Sequence, residues 1–569
     1  MHSANHWGGA LEIVGESQVD STDDHRSQNA DWDKASRKSY TLDETHKEVE
    51  FGNGCTGISC HRNADYYFQK FARGIIIGHC PLMIFTLALH KALLFFDAQK
   101  SGRLPKNNYS INWRGNSGLQ DGNTTERGLV GGYYDAEYEG KYKAIDEYEH
   151  VRDLIKWGTD YLLLTFNSSA ASVPYIYSQV GGSMNGSTVP DDHTCWTRPE
   201  DMDYPRPVQT SYAGPELAGE MAAALAAASI VFRDNNVYSE KLAKGAATVF
   251  EFGRDQSKRR TYSSQNPYIE HYYNSSGYYD EYMWGAAWLY YATGNRSYVS
   301  LATNQGLPSN AHAFSMNRDL NVLSWDNKLP AAMMLLTRLR IFLNPGYPYE
   351  AMLSSYHNKT GLTMCSYLQR YNVYNWTQGG LIQLNHGRGQ PLQYVANAAF
   401  LASLFADYLN ATGVPGWNCG PDFILTEDLR SFASSQINYI LGANPMNMSY
   451  VVGYGNNYPK RVHHRGASIP NDNKKYSCRG GWKWYQSRNS NPNTIIGAMV
   501  GGPNKFDEYE DIRSDYSHGE PTVAGNAGLV AALVSLTTSG GQGIEKNIIF
   551  SAVPPLYPPS PPPPSPWKP

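Results

Sequence analysis

The chain has 569 residues, with 48 basic and 52 acidic side chains and a formal net charge of −4. At 41% hydrophobic and 18% charged residues it can bury a large core, which excludes a chain disordered over most of its length. No basic stripe runs along it, so the charge pattern calls for no nucleic-acid partner.

In chain order, residues 1–60 read as a polar, mildly acidic, disordered tail with no cleavable signal peptide. Residues 61–85 read as a linker or a weak membrane anchor. The apolar stretch Gly74–Phe96 is long enough to span a bilayer, but His79, Pro81, His90 and Lys91 interrupt it. The basic flank Arg62, Lys70 and Arg73 would keep the N-terminus cytoplasmic if the stretch inserts. The alternative is that Thr86–Phe96 is the first helix of a soluble body spanning 86–553. Apolar segments of helical period then recur at 150–165, 215–233, 280–292, 328–343, 392–409, 426–441 and 521–536. Their Ala and Leu content predicts an all-α domain of helical hairpins with functional loops at one end. Periodicity alone does not separate a toroid from a bundle. The end, 554–569, is proline at ten of sixteen positions and predicts polyproline II.

Seven cysteines, with no C-x-x-C pair, argue against zinc and leave the redox compartment open. Ten Asn-x-Ser/Thr sequons (at Asn108, Asn123, Asn167, Asn185, Asn274, Asn295, Asn358, Asn375, Asn410 and Asn447) predict passage through the secretory lumen. The 42 tyrosines, against 18 phenylalanines, offer flat faces with polar tips, suited to sugars or to ordinary packing.

The densest polar constellation is late: Tyr509-Glu510-Asp511, Tyr516, Glu520-Pro521-Thr522 and Asn526-Ala527. Pro521 suits a first helical position, which would put Glu520 at a helix N-terminus. There it either caps the helix or, shielded among aromatics, serves as an acid. Upstream, Lys460-Arg461-Val462-His463-His464-Arg465 is either a solvated basic loop or a set of hydroxyl-binding donors. His463 and His464 lack the i, i+4 spacing of a helical zinc pair, so neither a metal nor a cofactor is called for.

These two stretches resemble the histidine and acidic signatures of plant glycoside hydrolase family nine, the endo-β-1,4-glucanases. The second reads Tyr509-x-Asp511-x4-Tyr516-x3-Glu520-x-Thr522-x3-Asn526-Ala527. Trp113–Gly118, Gly131–Ala136, Cys195–Asp201, Ser324–Lys328 and Leu392–Asn397 agree as well. The tail and the Pro-rich end are similar to the membrane-anchored KORRIGAN type, type II proteins of the Golgi and plasma membrane. The resemblance implies an (α/α)-six barrel that inverts β-1,4-glucan bonds, with cellulose or related wall glucans as substrate. It implies the cellulose-synthesis machinery as a partner and leaves a secreted form as the alternative to membrane association. By motif, Glu520 is the general acid, and Asp511, His463 and Asp135 belong to the catalytic set. Arg465 and Tyr516 line the substrate path, while Trp196 and Trp325 are either stacking faces or core.

The sequence departs from the family after Asp135-Ala136. There the family continues Gly-Asp and a long apolar helix, whereas this chain reads Glu137-Tyr138-Glu139-Gly140-Lys141. The second Asp is the family's base, and an inverting glycosidase needs one to activate water. The expectation is therefore a barrel with a truncated, poorly ordered early hairpin, marginal stability and low turnover. The alternative function is a glucan-binding or cellulose-synthesis-associated protein that has lost its base.

Overall fold

The computed structural model describes residues 81–105, 111–134, 147–537 and 546–554. The expectations for the N-terminal tail, residues 74–80, Asp135, the charged remnant up to residue 146 and the Pro-rich end lie outside the described residues. Helices alternate between an inner and an outer layer. The inner ones are α3 (Pro215–Val231), α5 (Tyr279–Thr293), α7 (Leu329–Arg338), α9 (Pro391–Ala411) and α11 (Val523–Leu536). They are apolar nearly all round, as a helix enclosed on every side must be. In α11, for example, every residue from Gly525 to Leu536 is buried. The outer ones are α2 (Tyr148–Leu162), α4 (Asn236–Arg254), α6 (Arg296–Thr303), α8 (Glu350–Tyr367) and α10 (Thr426–Leu441).

Each inner helix packs on the next, and α1 (Pro81–Gln99) closes the ring on α11. Asn526, at the start of α11, donates to the carbonyls of Ala92 (3.3 Å) and Gly497 (2.9 Å) and so stitches that closure. The approach of α3 to α5 depends on glycine. A Cβ at Gly285 would lie 3.1 Å from the Gly219 carbonyl oxygen, and one at Gly219 would lie 2.7 Å from Glu281 Cβ. This is the hairpin toroid that the resemblance implies.

Several expectations need correction. The first helix begins at Pro81 and buries Phe85, Ala88, Leu89, Ala92, Leu93 and Phe96. From residue 81 onward the apolar stretch is therefore barrel core, and among the described residues no helix is long and apolar enough to cross a membrane. The outer helices α4 and α8 were not expected; α8 (EAMLSSYHNKTGLTMCSY) is rich in Ser, Thr, Asn and Tyr and shows little apolar period. Pro521 does not open α11. Thr522 is its N-cap, with Oγ1 accepting from the Gly525 N–H at 3.0 Å.

Two disulfides brace the ring: Cys195–Cys478 joins two loops, and Cys365–Cys419 joins helix α8 to the short strand Gly416–Cys419. Cysteine spacing gave no sign of them, because the first joins positions 283 residues apart.

Between α1 and α2 the contact is polar. Glu147 binds His90 and, at 2.7 Å, His150 Nδ1; His150 Nε2 meets Asp97 at 2.7 Å; and Asp97 accepts from Lys100 Nζ at 2.8 Å. Asp97 is fully buried, and His150 and Lys100 nearly so.

Candidate active site

The N-termini of the inner helices share one face of the ring, and hydrogen bonds run along this rim. Asp280 on α5 accepts from the Lys328 N–H at 2.7 Å, and Gln393 on α9 accepts from Trp325 N at 3.3 Å. Gln390 N donates to the Ser517 carbonyl at 2.7 Å. Glu520 follows three residues later, between the short helix Tyr516–Gly519 and the cap of α11. Its N–H donates to the Tyr516 carbonyl at 3.2 Å, and its Oε2 is shielded from water.

The basic loop is held against this segment from both sides. The His463 N–H donates to the Gly519 carbonyl at 3.0 Å, adjacent to Glu520. Asp511 accepts from the N–H groups of Lys460 (2.8 Å) and Arg461 (2.9 Å). Asp511 thus fixes the loop's path, a positioning role. His463 Nδ1 donates to the Arg513 carbonyl at 2.7 Å, which puts the ring proton on Nδ1 and leaves a lone pair on Nε2. Burial pushes its pKa down to about 4, so the imidazole is neutral near pH 7.

His464 faces the other way. Its Nδ1 accepts from the Ala467 N–H at 3.0 Å, so Nε2 donates to Gln99 Oε1 at 2.9 Å. Gln99 in turn donates to the carbonyl of Tyr134, the residue before Asp135, at 2.9 Å. A single relay therefore ties the histidine loop to the start of the Asp135 segment.

Arg465 lies over the Trp196 ring at 5.7 Å and forms no ion pair among the described residues. Trp196 itself is 3% exposed. Its Nε1 donates to Ser468 Oγ at 2.9 Å, and its ring packs edge-on against His463 at 5.0 Å. Of the two readings of Trp196, core is the one seen: it backs the histidine rather than facing a sugar. Trp325 is half-buried beside the exposed Tyr273, with ring centroids 6.2 Å apart, and retains a rim-facing character. The half-buried Tyr516 ring lies 6.1 Å from His463.

The sequence reading missed His193. It stacks on Tyr272 with centroids 3.8 Å apart and planes within 8°, and burial followed by the Arg465 charge lowers its pKa to about 4. The available signal was its place two residues before Cys195-Trp196. Together these groups present neutral imidazoles, a guanidinium without an ion pair among the described residues, aromatic rims and a half-buried carboxyl group. They can bind hydroxyls and deliver a proton, on a face built from helix N-termini.

A ring of helical hairpins with this polar and aromatic rim at one end defines an (α/α)-six barrel. The glycosyl hydrolase family 9 pattern matches residues 85–142 and 136–533. The chain is 54% identical to Endoglucanase 12 of Oryza sativa subsp. japonica over 628 aligned positions, covering 100% of both. It is 53% identical to Endoglucanase 7 of Arabidopsis thaliana over 624 positions, again covering 100% of both. Among solved structures, the endoglucanase of the termite Nasutitermes takasagoensis superposes with a TM-score of 0.65 at 32% identity, covering 80% of this chain and 98% of that one. Endoglucanase CelQ of Clostridium thermocellum, complexed with cellotetraose, gives 0.61 at 28% identity over 80% and 71%. The chain belongs to glycosyl hydrolase family 9.

Proposed function

We propose that this chain is an endo-β-1,4-glucanase acting on cellulose or related wall glucans, with Glu520 as the general acid. The observation that carries the reading is the half-buried Glu520, with its Oε2 shielded from water, next in sequence to the Gly519 carbonyl that holds a neutral His463, within a family match spanning residues 85–533. Arg465 and His463 Nε2 hold glucose hydroxyls, Trp325 and Tyr516 border the path, and Asp511 and the Arg513 carbonyl fix the histidine loop. Asp135 helps hold the attacking water. Glu520→Gln should remove nearly all hydrolysis of a soluble cellulose derivative while the thermal transition stays put, because the amide keeps the shape and supplies no proton. Near-normal turnover by a folded Glu520→Gln protein overturns the assignment.

A second reading, a glucan-binding protein with an impaired base, has its own support. Where the family places its second Asp, this chain continues Glu137-Tyr138. The family match also falls into two segments that meet at 136–142, and the alignment to the rice relative runs to 628 positions against 569 residues here. Glucan binding without turnover distinguishes this reading from the first.

For localisation we infer the secretory pathway. The sequon asparagines 123, 167, 185, 274, 295, 358, 375 and 447 are exposed, and the two disulfides suit an oxidising compartment. A type II anchor upstream of Pro81 and a role beside the cellulose-synthesis machinery complete the proposal. Carbonate extraction of membranes carrying the full chain tests the anchor: release into the supernatant rejects it.

A further inference from the structure

Beside the cleft, the segment Asp472–Arg488 carries five cations (Lys474, Lys475, Arg479, Lys483 and Arg488) against the single carboxylate of Asp472. All five are exposed. This runs against the sign of the whole chain, whose formal charge is −4. Asp472 is engaged by the Tyr476 hydroxyl at 2.7 Å, and Lys475 reaches Asp203 only at 3.7 Å, on the surface. Among the described residues Lys474, Arg479, Lys483 and Arg488 have no ion pair.

Repelling charges on a floppy loop would spread apart, but this strap is bolted down. The Cys195–Cys478 disulfide pins its middle to the Trp196 segment. Arg198 donates to the carbonyls of Pro470 (2.8 Å) and Lys474 (2.6 Å), and Thr197 Oγ1 to that of Tyr476 (2.9 Å). At the other end the buried Arg513 guanidinium donates to the carbonyls of Trp484 and Asn489, both at 2.7 Å. Aromatics lie between the cations: Lys483 Nζ sits 5.0 Å from the Tyr476 ring centroid and 5.1 Å from that of Trp484. The patch adjoins the histidine loop, since Tyr485 contacts both the buried Trp196 (4.8 Å) and His463 (6.1 Å).

We propose that the strap Lys474–Arg488 is a docking surface for an anionic polysaccharide, a polyuronate chain, lying alongside the glucan path. Exposed cations on an anchored backbone complement the carboxylates of such a chain, and half-buried aromatic platforms match the apolar faces of pyranoses. A membrane surface fits less well, because the aromatics lie half-buried among the cations rather than projecting as wedges into acyl chains. The inference does not depend on hydrolysis, so its test reads binding alone.

The full chain is run in native gels containing polygalacturonate. Retardation is expected, and it should vanish at about 1 M salt, where the screening length falls to roughly 3 Å. Fully methyl-esterified, uncharged pectin should not retard the protein. The variant K474Q/K475Q/R479Q/K483Q leaves the disulfide and the Arg513 clamp intact and should lose about tenfold or more in affinity, as expected where counterion release drives binding to a polyanion. The single variants K483Q and R479Q should each lose part of it. Absence of retardation, equal retardation of the fourfold variant, or tighter binding to phosphatidylserine vesicles than to polygalacturonate at equal charge overturns the proposal.

Discussion

His463 shows how much of the site's chemistry is decided by single hydrogen bonds. The Arg513 carbonyl fixes the tautomer, burial keeps the ring neutral with a pKa of about 4, and Trp196 and Tyr516 confine its tilt. Asp511 acts at one remove, by holding the N–H groups of Lys460 and Arg461. Asp511→Asn keeps one acceptor oxygen but offers an amide where the second N–H points, so the loop should shift. If the parent protein turns over, the expected effect is a fall in kcat/KM of about tenfold to a hundredfold, the size seen when a positioning group misplaces a catalytic one. Thermal stability should drop only slightly, because the site is partly exposed. Steady-state kinetics alongside a thermal melt checks this; an unchanged kcat/KM would remove Asp511 from the positioning role. Trp196→Phe tests the backing role by removing the Nε1 bond to Ser468, a loss worth about 1 kcal/mol. It should lower the melting temperature while leaving oligosaccharide binding nearly unchanged, and a large loss of binding would mean that Trp196 faces the sugar after all.

At the scale of elements, the α1–α2 seam sets a pH window. Burial opposes charge on His150, yet its bonds to Asp97 and Glu147 prevail and raise its pKa to about 9 from 6.5. Burial likewise opposes charge on Glu147, and its histidine partners prevail, lowering its pKa to about 2 from 4.5. The His150 contribution is fully present below pH 6.5 and is lost as pH rises towards 9; the Glu147 contribution is present above 4.5 and is lost as pH falls towards 2. The buried, neutral His193, His463 and His464, with pKa values of about 4, 4 and 3, withdraw stability as pH falls below 6.5. Burial raises the Glu216 pKa to about 8 from 4.5, so its contribution too is lost as pH rises towards 8. Thermal stability should therefore peak near pH 6.5, and His150→Gln should lower the peak and make the alkaline decline shallower, leaving the Glu216 part. A decline of unchanged steepness in His150→Gln would remove the seam from this role.

The inner helices were legible because a helix enclosed on all sides is apolar throughout, and α3, α5, α9 and α11 read that way directly. The outer α8 was not, since its polar Ser, Thr and Asn positions take their helical state from packing on α7 rather than from pattern. In the site, Glu520, Asp511, His463 and Arg465 stood out because they sit in one dense stretch each. His193 and the Arg513 clamp did not, because their partners are distant in sequence: the Arg513 guanidinium meets Trp484, 29 residues away. The seam was equally hidden, for Asp97 and His150 are 53 residues apart.

For the whole molecule, the proposed reading ties both stability and turnover to the polar seam between α1 and α2. On the second proposed reading, the chain passes from Ala136 to Glu137 without the apolar helix that the resemblance implies there. The ring here closes through buried charges, whose desolvation cancels much of their mutual attraction. Apolar helix packing at the same place would stabilise by several kcal/mol, a large share of a domain's margin. On that reading the same stretch would carry the second Asp, and positioned general-base catalysis is worth about 10²–10⁴-fold in rate. Inserting a family-type segment after Ala136, beginning Gly-Asp and running through the helix, should therefore raise the melting temperature and turnover together. The same insertion with its Asp replaced by Asn separates the two effects, since it should recover stability and leave turnover at the parent level. A parent chain that already hydrolyses a soluble cellulose derivative as fast as the repaired one would show that this barrel finds its base elsewhere. A repaired chain that melts no higher would show that the polar seam closes the ring as well as the helix does.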